Sequence, residues 1–142
     1  MARKSWFGFF PHDVDASRDP KMRRLLRTWG PEGYGRYWLL MEELGCNGGE
    51  IGASTDDDWE TACEVMRYGP EDSTAAMEFV GDLAKFGLLD AKALGDGVIS
   101  SERMMRNIDD ADRYHKKRVE AGKKGGRGRK KEEEQEDPCS DK

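Results

Sequence analysis

The chain has 142 residues, 36% apolar and 37% charged, which suits one domain with a solvated segment and leaves no room for two sizeable cores. Its net charge of −5 hides a segregation: residues 46–101 hold 12 acidic and 3 basic side chains, residues 102–131 hold 12 basic and 5 acidic, and residues 132–142 are acidic again. No run approaches the roughly twenty apolar residues of a membrane-spanning helix, and no apolar signal core precedes a small-residue cleavage site. Cys46, Cys63 and Cys139 are odd in number and form no Cys-x-x-Cys. Together these features predict a cytoplasmic protein with incidental thiols, without a disulfide framework, metal site or other cofactor.

Trp6, Phe7, Phe9 and Phe10 crowd ahead of Pro11 and predict an extended aromatic arm over residues 1–18. The rings are expected to cover an open edge of the core; exposed beside Arg3 and Lys4 they would instead suit stacking on unpaired bases. His12, Asp13 and Asp15 read as polar turn residues with no catalytic role. From Asp19 the pattern turns helical. Met22, Leu25, Leu26 and Trp29 recur at i, i+3, i+4 and i+7, with Lys21, Arg23, Arg24 and Arg27 on the other side. Asp19 is the expected N-cap, Pro20 the first helical residue and Gly30 the stop. A second helix starts at Pro31, and Tyr34, Tyr37, Trp38, Leu40, Met41 and Leu44 cover so much of its circumference that it should be the central helix of the core.

The glycine-rich stretch Cys46–Gly52 predicts a turn and one short strand; it lacks the Gly-Lys-Ser/Thr ending of a phosphate loop. Trp59, Ala62, Cys63 and Met66 mark a third helix over 55–67, and Ala76, Phe79, Val80, Leu83 and Phe86 a fourth over 70–86. Gly87–Asp90 and Val98–Ser100 flank Gly95-Asp96-Gly97 and read as a hairpin. From Ser101 the stripe Met104, Ile108 and Ala111 predicts a helix to residue 121 that leaves the domain as a stalk, with acid-before-base pairs such as Asp109 and Arg113 supporting it. Residues 122–142, basic and then acidic and poor in apolar side chains, are expected to be disordered. The predicted fold is mainly α: a winged helix-turn-helix over residues 19–100 with a small β-hairpin wing, a long C-terminal helix and a disordered tail. Trp29, Trp38, Phe79 and Leu83 are expected to share its core.

Trp6–Pro11 with His12-Asp13-Val14-Asp15, Asp19-Pro20-Lys21, Leu25-Leu26 and the run from Gly30 through Glu32-Gly33-Tyr34-Gly35-Arg36-Tyr37-Trp38 to Glu42 resemble the N-terminal domain of phage replisome-organiser proteins related to bacterial DnaD. Gly87-Leu88-Leu89, the helix after the hairpin and the Gly-Lys-Lys-Gly-Gly-Arg tail extend the resemblance over most of residues 3–131. It implies a winged helix, a role in starting replication, helicase-loading or other primosome partners, and self-association through the winged helix with DNA contacts further C-terminal. The chain ends soon after the basic tail, so the C-terminal domain of the longer members is expected to be absent.

Charge qualifies the usual expectation that the last core helix reads the major groove. Between Glu71 and Phe86, Lys85 stands against Glu71, Asp72, Glu78 and Asp82, a balance that repels phosphates. The candidate DNA-binding residues are therefore Arg23, Arg24 and Arg27 on the first helix, and Lys116, Lys117, Arg118, Lys123, Lys124, Arg127, Arg129, Lys130 and Lys131 at the C-terminal end. The expected function is a DNA-binding replication-initiation protein, or its N-terminal domain, that holds duplex or single-stranded DNA mainly by its backbone. The alternative is a protein-interaction and oligomerisation module whose acidic fourth helix docks a basic partner, with a transcriptional regulator a weaker option. No nucleophile–base set or phosphate loop marks an enzyme.

Overall fold

The computed structural model describes residues 6–125. A single 3-10 turn, Ala16–Arg18, leads into α1 (Pro20–Cys46), followed by β1 (Glu50–Gly52), α2 (Asp56–Met66), α3 (Ser73–Lys85), the short α4 (Ala91–Gly95), β2 (Val98–Ser100) and α5 (Glu102–Gly125). Apart from the short α4, the order helix, strand, helix, helix, strand is that of a winged helix. The fold is mainly α, with one small antiparallel sheet among the described residues and a long C-terminal helix.

The predicted break at Gly30-Pro31 lies inside α1. Asp19 caps the helix through the Lys21 amide, and Gly30 takes φ 71° and ψ −173°, a conformation that a Cβ would strain, so the helix kinks there and resumes at Pro31. The kink lets Gly33 come against α3. A Cβ on Gly33 would sit 2.4 Å from the Cβ of Trp29 and 3.3 Å from the Phe79 ring, so no larger residue fits without movement. Trp29 closes this corner by meeting Phe79 edge-on at 5.2 Å and donating its indole N–H to Asp82 at 2.9 Å.

Tyr37, Leu40, Met41 and Leu44 from the second arm of α1 are buried with Met66, Phe79, Val80, Leu83, Ile99 and Met104. The central helix is thus where the apolar pattern put it. Trp29 and Trp38 are half-buried and packed against the core that holds Phe79 and Leu83. Thr55 caps α2 in a reciprocal box with Asp58, whose carboxylate accepts from the Ser54 and Thr55 amides. Those bonds hold the Asp58 carboxyl below its ordinary range.

The wing departs from the predicted pairing. Val98–Ser100 is a strand, but its partner is Glu50–Gly52, with Ile51 opposite Ile99. The intervening chain coils into α4 because Asp90 accepts from the Lys92 and Ala93 amides at 3.0 and 3.1 Å and the Ala-Lys-Ala-Leu run favours helix. The Gly87–Asp90 run reaches the sheet through one bond, Asp90 N–H to the Ser100 carbonyl at 2.8 Å. Two ends also shift. Gly69–Asp72 forms a turn, so α3 starts at Ser73 rather than residue 70, and α5 continues to Gly125 rather than ending at residue 121. Lys123 and Lys124 in its last turn favour that extension through the helix dipole. Cys63 is a buried free thiol. The disorder expected of the tail falls, from residue 126 onward, outside the described residues.

The close approach at Gly33 generates a paired prediction. Gly33→Ala should lower the urea midpoint, at a cost of about 1–3 kcal/mol for overpacking. Gly35→Ala, where a Cβ meets nothing within 4 Å, should raise it by about 0.4–1 kcal/mol. Equal effects of the two substitutions would remove packing at Gly33 as the cause.

Candidate nucleic-acid interface

The predicted basic residues that fall in the described part form two groups on different elements. On the first arm of α1, Arg23, Arg24 and Arg27 are all exposed. Part of this face is structural. The Arg24 guanidinium lies 4.6 Å from the centre of the Phe86 ring and Lys21 Nζ donates to the Gly87 carbonyl at 3.3 Å, so these cations drape the turn that ends α3. The outer half of α5 forms the second group. Lys116, Lys117, Arg118, Lys123 and Lys124 are exposed there, and between Arg113 and Gly125 Glu120 is the one acidic residue against six basic ones. Arg127, Arg129, Lys130 and Lys131 lie outside the described residues.

Two arginines that sequence reasoning did not single out sit between the groups. Arg103 and Arg106, in the first turns of α5, line a concavity of about 520 Å³ with Lys21 and Lys92. Asp19, Asp90 and Glu102 line it too, which leaves little net positive charge. Asp19 and Asp90 are committed to capping α1 and α4, and Arg103 is bonded to Asp13 at 3.1 Å. Tyr37 also borders this space. Its phenol is 1% exposed, and burial pushes its pKa up to about 12 although Arg103 pulls the other way. Among the described residues, no group of three or more His, Cys, Asp or Glu could hold a metal ion.

The helix that would read bases in many winged helices is poorly suited to it. The outer face of α3 presents Thr74, Met77, Glu78 and Lys85, while Asp82 is bonded to Trp29. Asp56, Asp57, Glu60, Glu64, Glu71 and Asp72 are exposed on and beside α2 and α3, so this side of the domain is acidic.

The N-terminal arm divides its aromatics between two uses. Phe7 is buried against Gly45, and Phe10 stacks on Trp38 with centroids 6.1 Å apart, which is the expected cover for the core. His12 stacks on Trp38 at 3.8 Å and meets the Tyr34 hydroxyl at 3.2 Å. With Asp13 on Arg103, the polar turn after Pro11 therefore pins the arm to α1 and α5; one residue's partner in a turn cannot be read from local sequence. Trp6 and Phe9, by contrast, are 41% and 88% exposed. The aromatic sequence signal announced the arm but not which rings face water.

A mainly helical, winged-helix domain with a basic C-terminal helix and an acidic opposite side is the class that these features define. The family model "Lin1244/Lin1753-like, N-terminal" matches residues 9–104, so the chain belongs to that phage-type family. No curated protein and no solved structure matches the chain. Among the described residues no helix is long and apolar enough to cross a membrane.

The burial of Tyr37 has a pH consequence. A phenol whose folded pKa lies above its unfolded value of 10.0 contributes nothing adverse below that value, and the fold loses stability as pH rises through about 12. Thermal melts should therefore be flat from neutral pH to pH 10 and fall between 10 and 12, with Tyr37→Phe abolishing much of the fall. An unchanged profile in that variant would assign the alkaline transition to other groups.

Proposed function

We propose that this chain is a DNA-binding replication-initiation protein of the replisome-organiser, DnaD-like type, or its N-terminal domain, acting in the cytoplasm. It holds DNA mainly through backbone phosphates, using the outer half of α5 and the basic sequence after it, with Arg23, Arg24 and Arg27 as a secondary contact. The observation that carries this reading is the run of six exposed basic residues between Arg113 and Gly125, opposed by Glu120 alone. A helix that projects such a row of cations attracts phosphate without reading sequence. The exposed carboxylates on α2 and in the turn before α3 support the same division, because they disfavour base reading by this side of the domain. Helicase-loading or other primosome proteins are the proposed partners, and the winged helix the proposed place of self-association.

A second reading has its own observation. The exposed carboxylates of α2 and α3 suit a basic protein partner, which would make the domain an interaction module.

Salt titration separates the two. Each neutralised phosphate contributes about −0.9 to the slope of log affinity against log salt on duplex DNA. A chain ending at Ala121 loses Lys123, Lys124, Arg127, Arg129, Lys130 and Lys131, so the slope should shrink by up to about 5 while circular dichroism of the domain is retained. Arg23, Arg24 and Arg27 changed together to Ala should remove a smaller part. If the shortened chain binds duplex as tightly as the full one with the same slope, phosphate binding by the C-terminal end is wrong. If neither binds, the interaction module is the better reading.

A further inference from the structure

The arm and α5 enclose a groove of about 450 Å³, within the range of about 300–1,000 Å³ of small-ligand sites. Its construction is unusual for a solvent-facing surface. Trp6 forms one wall, fixed flat against His115 at 4.0 Å and 3° and by its indole N–H on Asp112 at 3.1 Å. Phe9 and Tyr114 border the groove with rings 88% and 65% exposed. Neither ring is used by the core, and each costs hydration of an apolar face. Arg118 also borders the groove, its guanidinium 5.9 Å from the centre of the Tyr114 ring. Of the nearby carboxylates, Asp110 is ion-paired with Arg113 and Asp112 accepts from the Trp6 indole.

Exposed flat rings beside positive charge are what an unpaired base requires: the ring takes the base face and the cation takes the neighbouring phosphate. Duplex bases offer no free face, so these rings add nothing to duplex binding. An apolar protein partner would have to desolvate the cations of the same helix, six of them between Arg113 and Lys124, which argues against that occupant. We infer that the groove between the N-terminal arm and α5 binds single-stranded DNA by stacking an unpaired base against Phe9 and Tyr114, with Arg118 at the adjoining phosphate. The inference rests on the DNA-binding reading above and adds to it a strand preference and a second, non-ionic source of affinity.

The test uses the full chain, a fluorescein-labelled oligothymidylate and a labelled duplex of the same length, followed by anisotropy across a salt series. Phe9→Ala and Tyr114→Ala should each weaken oligothymidylate binding by about 5- to 150-fold, the range for losing one stacked base, with duplex affinity and both salt slopes unchanged. Tyr114→Phe keeps the ring and should bind as the native chain does. Both side chains are exposed, so the variants should fold, and circular dichroism checks this. No change in oligothymidylate affinity, or an equal loss on both ligands, overturns the inference. So does a change in sedimentation mass in place of DNA affinity, which would make the groove a contact between copies of the chain. A native chain that binds duplex but not oligothymidylate defeats this inference and leaves the phosphate-binding proposal standing; one that binds neither defeats both.

Discussion

The rest of the domain depends on how closely α1 can approach α3, and that distance is set by the absence of a side chain at Gly33. A methyl group at the position would clash with the Trp29 Cβ of the same helix and press on the Phe79 ring of α3. The bend at Gly30 is the companion requirement, since it turns Trp29 toward Phe79 and Asp82 instead of leaving it on a straight continuation of the helix. Once that corner is closed, Tyr37, Leu40, Met41 and Leu44 face inward together. The indole–carboxylate bond explains why an acidic residue is tolerated at Asp82, partly buried beside the core: it satisfies the one polar atom that Trp29 brings with it.

The aromatic arm ties this core to the C-terminal helix. Phe10 and His12 lie on Trp38, Asp13 engages Arg103 and Trp6 lies on His115. The arm therefore fastens both the central helix and the first half of α5. Trp38 carries a cost in this arrangement, because its indole nitrogen is buried without a hydrogen-bond partner, a state worth about 1–3 kcal/mol of destabilisation. Stacking with Phe10 and His12 offsets that cost.

The helices were legible because their signals are local. Apolar spacing, Asp19 and the Gly30-Pro31 break act within a turn or two of the chain, and all of them operate in the structure. The wing was not, because Ile51 pairs with Ile99 across most of the domain while three-residue strands carry too little pattern to name a partner. The helical turn at Ala91–Gly95 was written locally, in Asp90 and the residues after it, but two flanking apolar runs suggested a hairpin instead. For the interface, charge segregation located the basic helix in advance. Which aromatics cover the core and which face solvent was not determined by composition, since Phe7 and Phe9 are two residues apart in the same run and meet opposite fates. Arg103 and Arg106 escaped notice because their place beside Lys21 is created only by the packing of α1 and α5.

The outer half of α5 is a helix with almost nothing beneath it. From Lys116 to Ala121 every residue is exposed, and an unsupported helix of fewer than about 12–15 residues is marginal in water. Its local support is Glu120, which stands one turn from Lys116, Lys117, Lys123 and Lys124. A polyanion laid along this segment would draw on the same cations, so the length of helix would depend on what is bound. Association and helix growth would then be one equilibrium: part of any attraction to phosphate would be spent on ordering the chain, and a helical signal that rises with ligand would report occupancy directly.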